Sequence, residues 1–377
     1  MEIFEQAPIQ SILFFILYGG TGVVPLIAAL YLLLRRGNAI APEITPPVRL
    51  RRWAAAFFSM VALGHVWWLL FYFYSRDLHF ENVLVPSATY VTVIMLDCVT
   101  LLSTLAGTLL SMLQDRQRRI WPVFVAMIPF VTLGIIFMVR PSHTLMLIST
   151  GYILSLYVLF SVYMVFALRR YGRWLNDNYA DLENKKVWLS LVVMLVCLLL
   201  LILNTLVDVN AIVLMYLMHF TELVLFGLLL WRVETLPSLT LAPIQKDKGV
   251  KSGVRYDASN VEQLLDMRCV ATQLYLKHDI SLQQLARALG TNRSYLSQYF
   301  SSQGITYNTY INNLRINHFI SRYREIVTTG EPFTVQQLAS DCGYRSYSTF
   351  SLAFKQRTGR SVTAWMSESG SDTIGVR

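Results

Sequence analysis

The chain has 377 residues, 54% hydrophobic and only 15% charged, with a mean hydropathy of +0.46. Soluble globular domains do not reach that balance, so a wholly soluble protein is excluded and lipid is the expected solvent for much of the chain. Residues 1–231 hold 15 Lys/Arg against 12 Asp/Glu and residues 232–377 hold 17 against 11, so two compositions are joined end to end.

Met1 to Gln10 carries Glu2 and Glu5 but no basic residue before the first apolar run, which argues against a cleaved signal peptide. A bilayer core of about 30 Å takes roughly 20 apolar residues per helix. Seven stretches qualify: 11–34, 53–74, 83–113, 120–139, 144–168, 187–207 and 211–231. The third is the longest at 31 residues, so strong tilt or protruding ends are expected.

Orientation follows from the basic residues in short connections. Connections 35–52, 114–119 and 169–186 hold 13 Lys/Arg, whereas the N-terminus, 75–82, 140–143 and 208–210 hold only Arg76 and Arg140. The N-terminus is therefore expected outside and everything after Trp231 in the cytoplasm, which predicts a multi-pass membrane protein. The outward connections are too short for a folded external domain. Residues 1–232 form the expected transmembrane domain with seven helices.

Ionisable groups within the bilayer are costly, by at least about 2.5 kcal/mol at its centre, and are functional candidates by default. His65, Asp97, His219 and Glu222 fall near mid-depth of the second, third and seventh stretches. His219 and Glu222 are three apart and share a helical face. A polar signal pocket is expected there, with Asp97 or Glu222 pairing with a histidine, and with Asn204 and Tyr152 as weaker candidates. The competing expectation is a hydrogen-bond set that only fixes helix packing. A bis-histidine haem site between His65 and His219 is disfavoured, because nothing else indicates a redox chain. Cys98, Cys197, Cys269 and Cys342 are scattered without metal-ligand spacing, so neither a metal nor a cofactor is expected.

Residues 233–260 mix Pro, Gly, Ser and charge without helical period and are expected to be a linker. The soluble domain is expected over 261–368, followed by a tail at 369–377. This domain contains an internal repeat. LQQLARALG at 282–290 matches VQQLASDCG at 335–343, and SYLSQYF at 294–300 matches STFSLAF at 348–354. Each copy predicts a short helix with one apolar face (Leu282, Leu285, Ala286 and Leu289 in the first), a glycine turn, and a second helix with its core residues inward (Leu296 and Phe300). In the second copy Val335, Leu338, Ala339, Gly343, Phe350 and Phe354 take those places. A connecting helix is expected from Tyr307 to Ile326, with Arg315 interrupting its apolar face.

The span from about 262 to 367 resembles the DNA-binding domain of the AraC family of bacterial regulators. The strongest likeness is ASDCGYRSYSTFSLAFKQRTGRSVTAWM at 339–366. The family usually has Pro where this chain has Val362, and a basic or polar residue where it has Leu352. The resemblance implies two recognition helices held by the connecting helix and entering successive major grooves. It implies base-facing positions at Ser294, Ser297 and Gln298 beside Arg293, and at Tyr347, Ser348, Ser351 and Leu352. Leucine offers a base only apolar contact, such as to a thymine methyl. Arg345, Lys355, Arg357 and Arg360 are the implied phosphate partners, which supply affinity and register.

The fold class expected is thus all-α: a seven-helix transmembrane bundle plus a C-terminal domain with two helix-turn-helix units. The function expected is a membrane-bound transcription regulator acting as a one-component sensor. Alternatives are a passive tether controlled by a partner or by proteolysis near 233–260, and a transporter-like protein with a regulatory tail. No nucleophile-and-base arrangement and no phosphate loop appears, so an enzyme is not expected. Double-stranded DNA and membrane lipid are the expected partners, with RNA polymerase, a small-molecule or lipid signal and a second copy of the chain as further candidates.

Overall fold

The computed structural model describes residues 8–35, 37–76, 88–182, 185–206, 212–239 and 258–374. Among them every regular element is helical, and a single antiparallel bridge pairs Tyr179 with Ser281. The chain divides into two compact units, one made of Met1–Arg169 with Val187–Leu241 and the other of Arg170–Lys186 with Ala242–Arg377.

The helices of the apolar part are α1 Pro8–Leu34, α2 Val48–Arg76, α3 Ala88–Met112, α4 Trp121–Val139, α5 His143–Asn178, α6 Trp188–Leu206 and α7 Ile212–Thr235. Among the described residues six of them, α1 to α5 and α7, are long and apolar enough to cross a membrane. The expected third stretch began at 83, and residues 83–87 lie outside those described. Helix α1 starts at Pro8 rather than 11, α2 spans Val48–Arg76 rather than 53–74, and two further helices overrun their expected C-terminal ends. Helix α5 was expected to stop at 168 and continues ten residues further to Asn178. Helix α7 was expected to stop at 231 and reaches Thr235. In both cases polar and basic residues extend a helix already nucleated by its apolar run, since adding residues is easier than starting.

In the first unit α2 packs on both α1 and α3, α7 packs on α1 and α2, and α4 packs on α3. Small residues permit the close approaches. Gly107 lies so near the Trp53 ring that a Cβ there would meet it at 2.3 Å, and one on Gly134 would meet Met95 Sδ at 2.6 Å. The end of α7 is tied to its neighbours by polar bonds. The buried Glu234 accepts from Tyr31 Oη at 2.8 Å and faces Arg51 Nε at 3.1 Å. Gln114 donates to the Pro237 carbonyl and accepts from the Leu239 amide. Residues 236–239 are thus pinned, although the sequence composition placed them in a linker.

The second unit contains α8 Ala258–Leu265, α9 Leu282–Leu289, α10 Arg293–Ser302, α11 Tyr307–Thr329, α12 Val335–Asp341, α13 Tyr347–Thr358 and α14 Val362–Ile374. Local sequence dictates the helix starts. Ser281, Asn292, Thr306, Thr334 and Ser346 each accept a hydrogen bond from the amide three residues on, satisfying donors that the helix itself leaves open. Gly290, Gly330 and Gly359 close α9, α11 and α13 in the left-handed conformation.

Two apolar cores result. The first gathers Leu282, Leu285, Leu289, Leu296, Phe300 and Ile311, and the second Phe319, Leu338, Ala339, Phe350, Phe354 and Val362. Val335, expected inside, is only half-buried. Helix α11 serves both cores, and Arg315 sits where it passes from one to the other. Its Nε donates to the Tyr275 carbonyl at 2.8 Å, its Nη2 to the Lys277 carbonyl at 2.8 Å, and its guanidinium lies 5.4 Å from the Tyr344 ring centre. Burial lowers the Arg315 pKa and pushes the Cys342 thiol up to about 12, leaving that thiol neutral.

Gly343 has φ +90°, and a Cβ there would lie 2.6 Å from the Leu276 carbonyl oxygen. Gly343→Ala is expected to cost about 3 kcal/mol, combining a left-handed backbone penalty with displacement of a main chain. Amide hydrogen exchange over 338–350 in the full chain checks this, through a matching fall in local opening free energy.

Candidate functional site

The second copy of the repeat builds the clearer surface. Ser346 caps α13, so its first turn presents Tyr347 and Ser348 to solvent, with Leu352 one turn further along and 53% exposed. Ser351 is half-buried. The opposite face of α13 carries Phe350, Ala353 and Phe354 into the core. A polar cleft of about 360 Å³ opens between the starts of α12 and α13, lined by Thr334, Gln336, Gln337, Ser340, Arg345 and Tyr347 among others. Gln336, Gln337 and Ser340 were not singled out from sequence. Their signal was the polar face left by the apolar period of α12.

The cations around this surface differ in how they are held. Lys355 and Arg357 are exposed in the last turn of α13. Arg345 makes an ion pair with Asp279 at 2.6 Å, and Arg360 pairs with Glu368. Both arginines are more than half exposed, so these pairs stabilise little and can exchange for phosphate.

In the first copy, α10 starts at Arg293 under the Asn292 cap, with Ser294 and Gln298 exposed and Ser297 half-buried on the face opposite Leu296 and Phe300. Arg293 is not free at the helix start, because its Nε donates to Asn178 Oδ1 at 2.7 Å.

Within the first unit, the four intramembrane candidates do not gather into one pair. His219 Nδ1 lies 3.3 Å from Glu222 Oε2, the carboxylate-histidine pairing expected for Glu222. Asp97 instead accepts from the indole N–H groups of Trp67, at 2.7 Å, and Trp68. Two adjacent tryptophans on α2 reach the carboxylate before either histidine does. His65 Nε2 bonds Thr21 Oγ1 at 2.9 Å. Tyr18, which sequence reasoning missed, lies between the histidines, with its ring 4.9 Å from His65 and 5.7 Å from His219. Tyr152 donates to the Ala126 carbonyl and is satisfied there. Asn204 carries a side chain outside those described.

Residues 285–368 match the family model described as a helix-turn-helix domain. This part of the chain is thus similar to known helix-turn-helix domains. No curated protein matches the chain. No solved structure matches it either. The helix-turn-helix match supports a DNA-binding transcription regulator and double-stranded DNA as its partner.

Buried and exposed faces separate cleanly on α13. Phe354→Ala, which empties a fully buried site, is expected to cost about 3–5 kcal/mol, while Leu352→Ala is expected to stay within about 0.5 kcal/mol. Thermal unfolding of the two variants in the same detergent checks the contrast.

Proposed function

We propose that this protein is a membrane-held transcription regulator whose apolar bundle senses a signal and controls a cytoplasmic DNA-binding domain. The observation that carries it is the joining, in one chain, of six helices fit to cross a membrane with an AraC-type helix-turn-helix domain. The basic connections support the N-terminus outside and the helix-turn-helix domain in the cytoplasm, in a bacterial cytoplasmic membrane. The residues that would meet bases are Ser294, Ser297, Gln298, Tyr347, Ser348, Ser351 and Leu352, with Arg293 beside them. Arg345, Lys355, Arg357 and Arg360 would meet phosphates. RNA polymerase and a second copy of the chain are the protein partners that fit such a role.

His65, Asp97, His219 and Glu222 form the proposed sensing region, and Tyr18 links its two histidines. Connections too short to fold outside the bilayer favour a small molecule or lipid that acts within the membrane or at its face. A sensor must bind its signal differently in two states. Tyr18 supports this, because a ligand reaching either histidine would disturb the same ring.

Genome-wide mapping of bound DNA tests the proposal, using the full chain and a chain whose residues 1–232 are replaced by an unrelated membrane anchor. Both are expected to occupy the same sites, with condition-dependent occupancy only in the native chain. Identical regulation by both would reduce the bundle to a tether. Asp97→Ala and Glu222→Ala, made separately, are expected to alter the response while leaving DNA binding intact. An unchanged response in both would overturn the sensing region.

A further inference from the structure

Residues 170–186 belong to the same compact unit as the helix-turn-helix domain. Asn178 ends α5, a helix that begins at His143. Beyond it the chain pairs with the first helix-turn-helix copy. Tyr179 bridges Ser281, and the Ala180 amide donates to the Ile280 carbonyl at 3.3 Å. Ala180 is buried in the first core. Asn308 Nδ2 donates to the carbonyls of Ala180 at 2.6 Å and Tyr179 at 3.1 Å. Lys185 Nζ reaches Asp279 Oδ1 at 3.0 Å and the Asp181 carbonyl at 2.9 Å.

The placement of these contacts matters more than their number. Ser281 caps α9, Arg293 is the first residue of α10 and Asn308 is the second of α11. The segment therefore touches the N-terminal ends of three consecutive helices. Those ends attract phosphate, and a recognition helix reads bases with its N-terminal residues. Two DNA-facing arginines are also engaged. Arg293 is held by Asn178. Asp279, one of whose oxygens holds Arg345 at 2.6 Å, is joined through the other to Lys185. Asp279 has φ +55°, a conformation Asp tolerates better than most residues, and it orients one carboxylate toward both cations. Burial opposes ionisation of that carboxyl, but Lys185 and Arg345 outweigh it and hold its pKa below the usual range.

We propose that residues 178–182, together with Lys185, act as a built-in competitor of DNA, occupying the helix ends and the Arg293 side chain that the duplex needs. The proposal rests on the DNA-binding function proposed above and adds how that binding is restrained.

The test uses the full chain in detergent. The probe is a mixed-sequence duplex about three helical turns long, ~30 base pairs, at about 50 mM salt, where phosphate contacts dominate. Asn178→Ala combined with Lys185→Ala is expected to lower the Kd for this duplex about tenfold, within the usual range of site-site coupling. In the unaltered chain, saturation with the duplex is expected to speed hydrogen exchange at the Ala180 amide. Unchanged affinity in a folded double variant, or unchanged protection at Ala180, overturns the competitor. Failure of every form to bind the duplex overturns the DNA-binding function itself, and with it the competitor.

Discussion

The soluble unit depends on one buried cation. Arg315 is almost inaccessible, and removing a guanidinium from water costs several kcal/mol unless hydrogen bonds replace hydration. The carbonyls of Tyr275 and Lys277 and the face of Tyr344 supply that replacement. They come from two places: the carbonyls from the loop entering the first helix-turn-helix copy, and the ring from the turn of the second. A lysine would present a point charge rather than a planar fork and could not lie over the ring while donating to two carbonyls. Among the described residues α11 is the helix that contributes to both cores, and Arg315 ties it to the loop before the first copy and to the turn of the second.

The first unit treats its charges in a parallel way. Where the surroundings are apolar, Asp97, His65 and Glu234 each have specific polar partners: tryptophan indoles for Asp97, Thr21 for His65, Tyr31 and Arg51 for Glu234. Low dielectric strengthens such bonds and makes an unpaired group expensive. The consequence is a set of fixed polar points joining α1, α2, α3 and α7, most of them close to a glycine or another small residue. Gly64 lies 3.1 Å from Asp97 Oδ1 by its would-be Cβ, and Gly22 lies 3.3 Å from the His65 ring. Polar chemistry and close helix approach are the same feature here.

Much of this was legible in the sequence because it is periodic. Apolar runs predicted seven helices where α1 to α7 lie, and the 53-residue repeat placed the turns at Gly290 and Gly343. Leu296, Phe300, Phe350 and Phe354 are buried as their spacing implies. What escaped was non-periodic and long-range. Arg315 registered only as a break in an apolar face, because its partners are carbonyls 38 and 40 residues away. Asn178 and Ala180 sat in a connection read only for its charge. Tyr18 belongs to a run whose hydropathy hides one hydroxyl among apolar neighbours. Asp97 was one of two carboxylates expected to meet a histidine, and its indole donors escaped because they carry no charge and leave no mark on a charge map.

Helix α11 packs into both cores of the helix-turn-helix domain. If α10 and α13 read successive grooves as proposed, their spacing would be set by the protein, and any mismatch with the pitch of a duplex would fall on the DNA, at an energy that depends on its own base steps. Base pairs that no side chain touches, lying midway between the two helices, would then help decide which sites are bound.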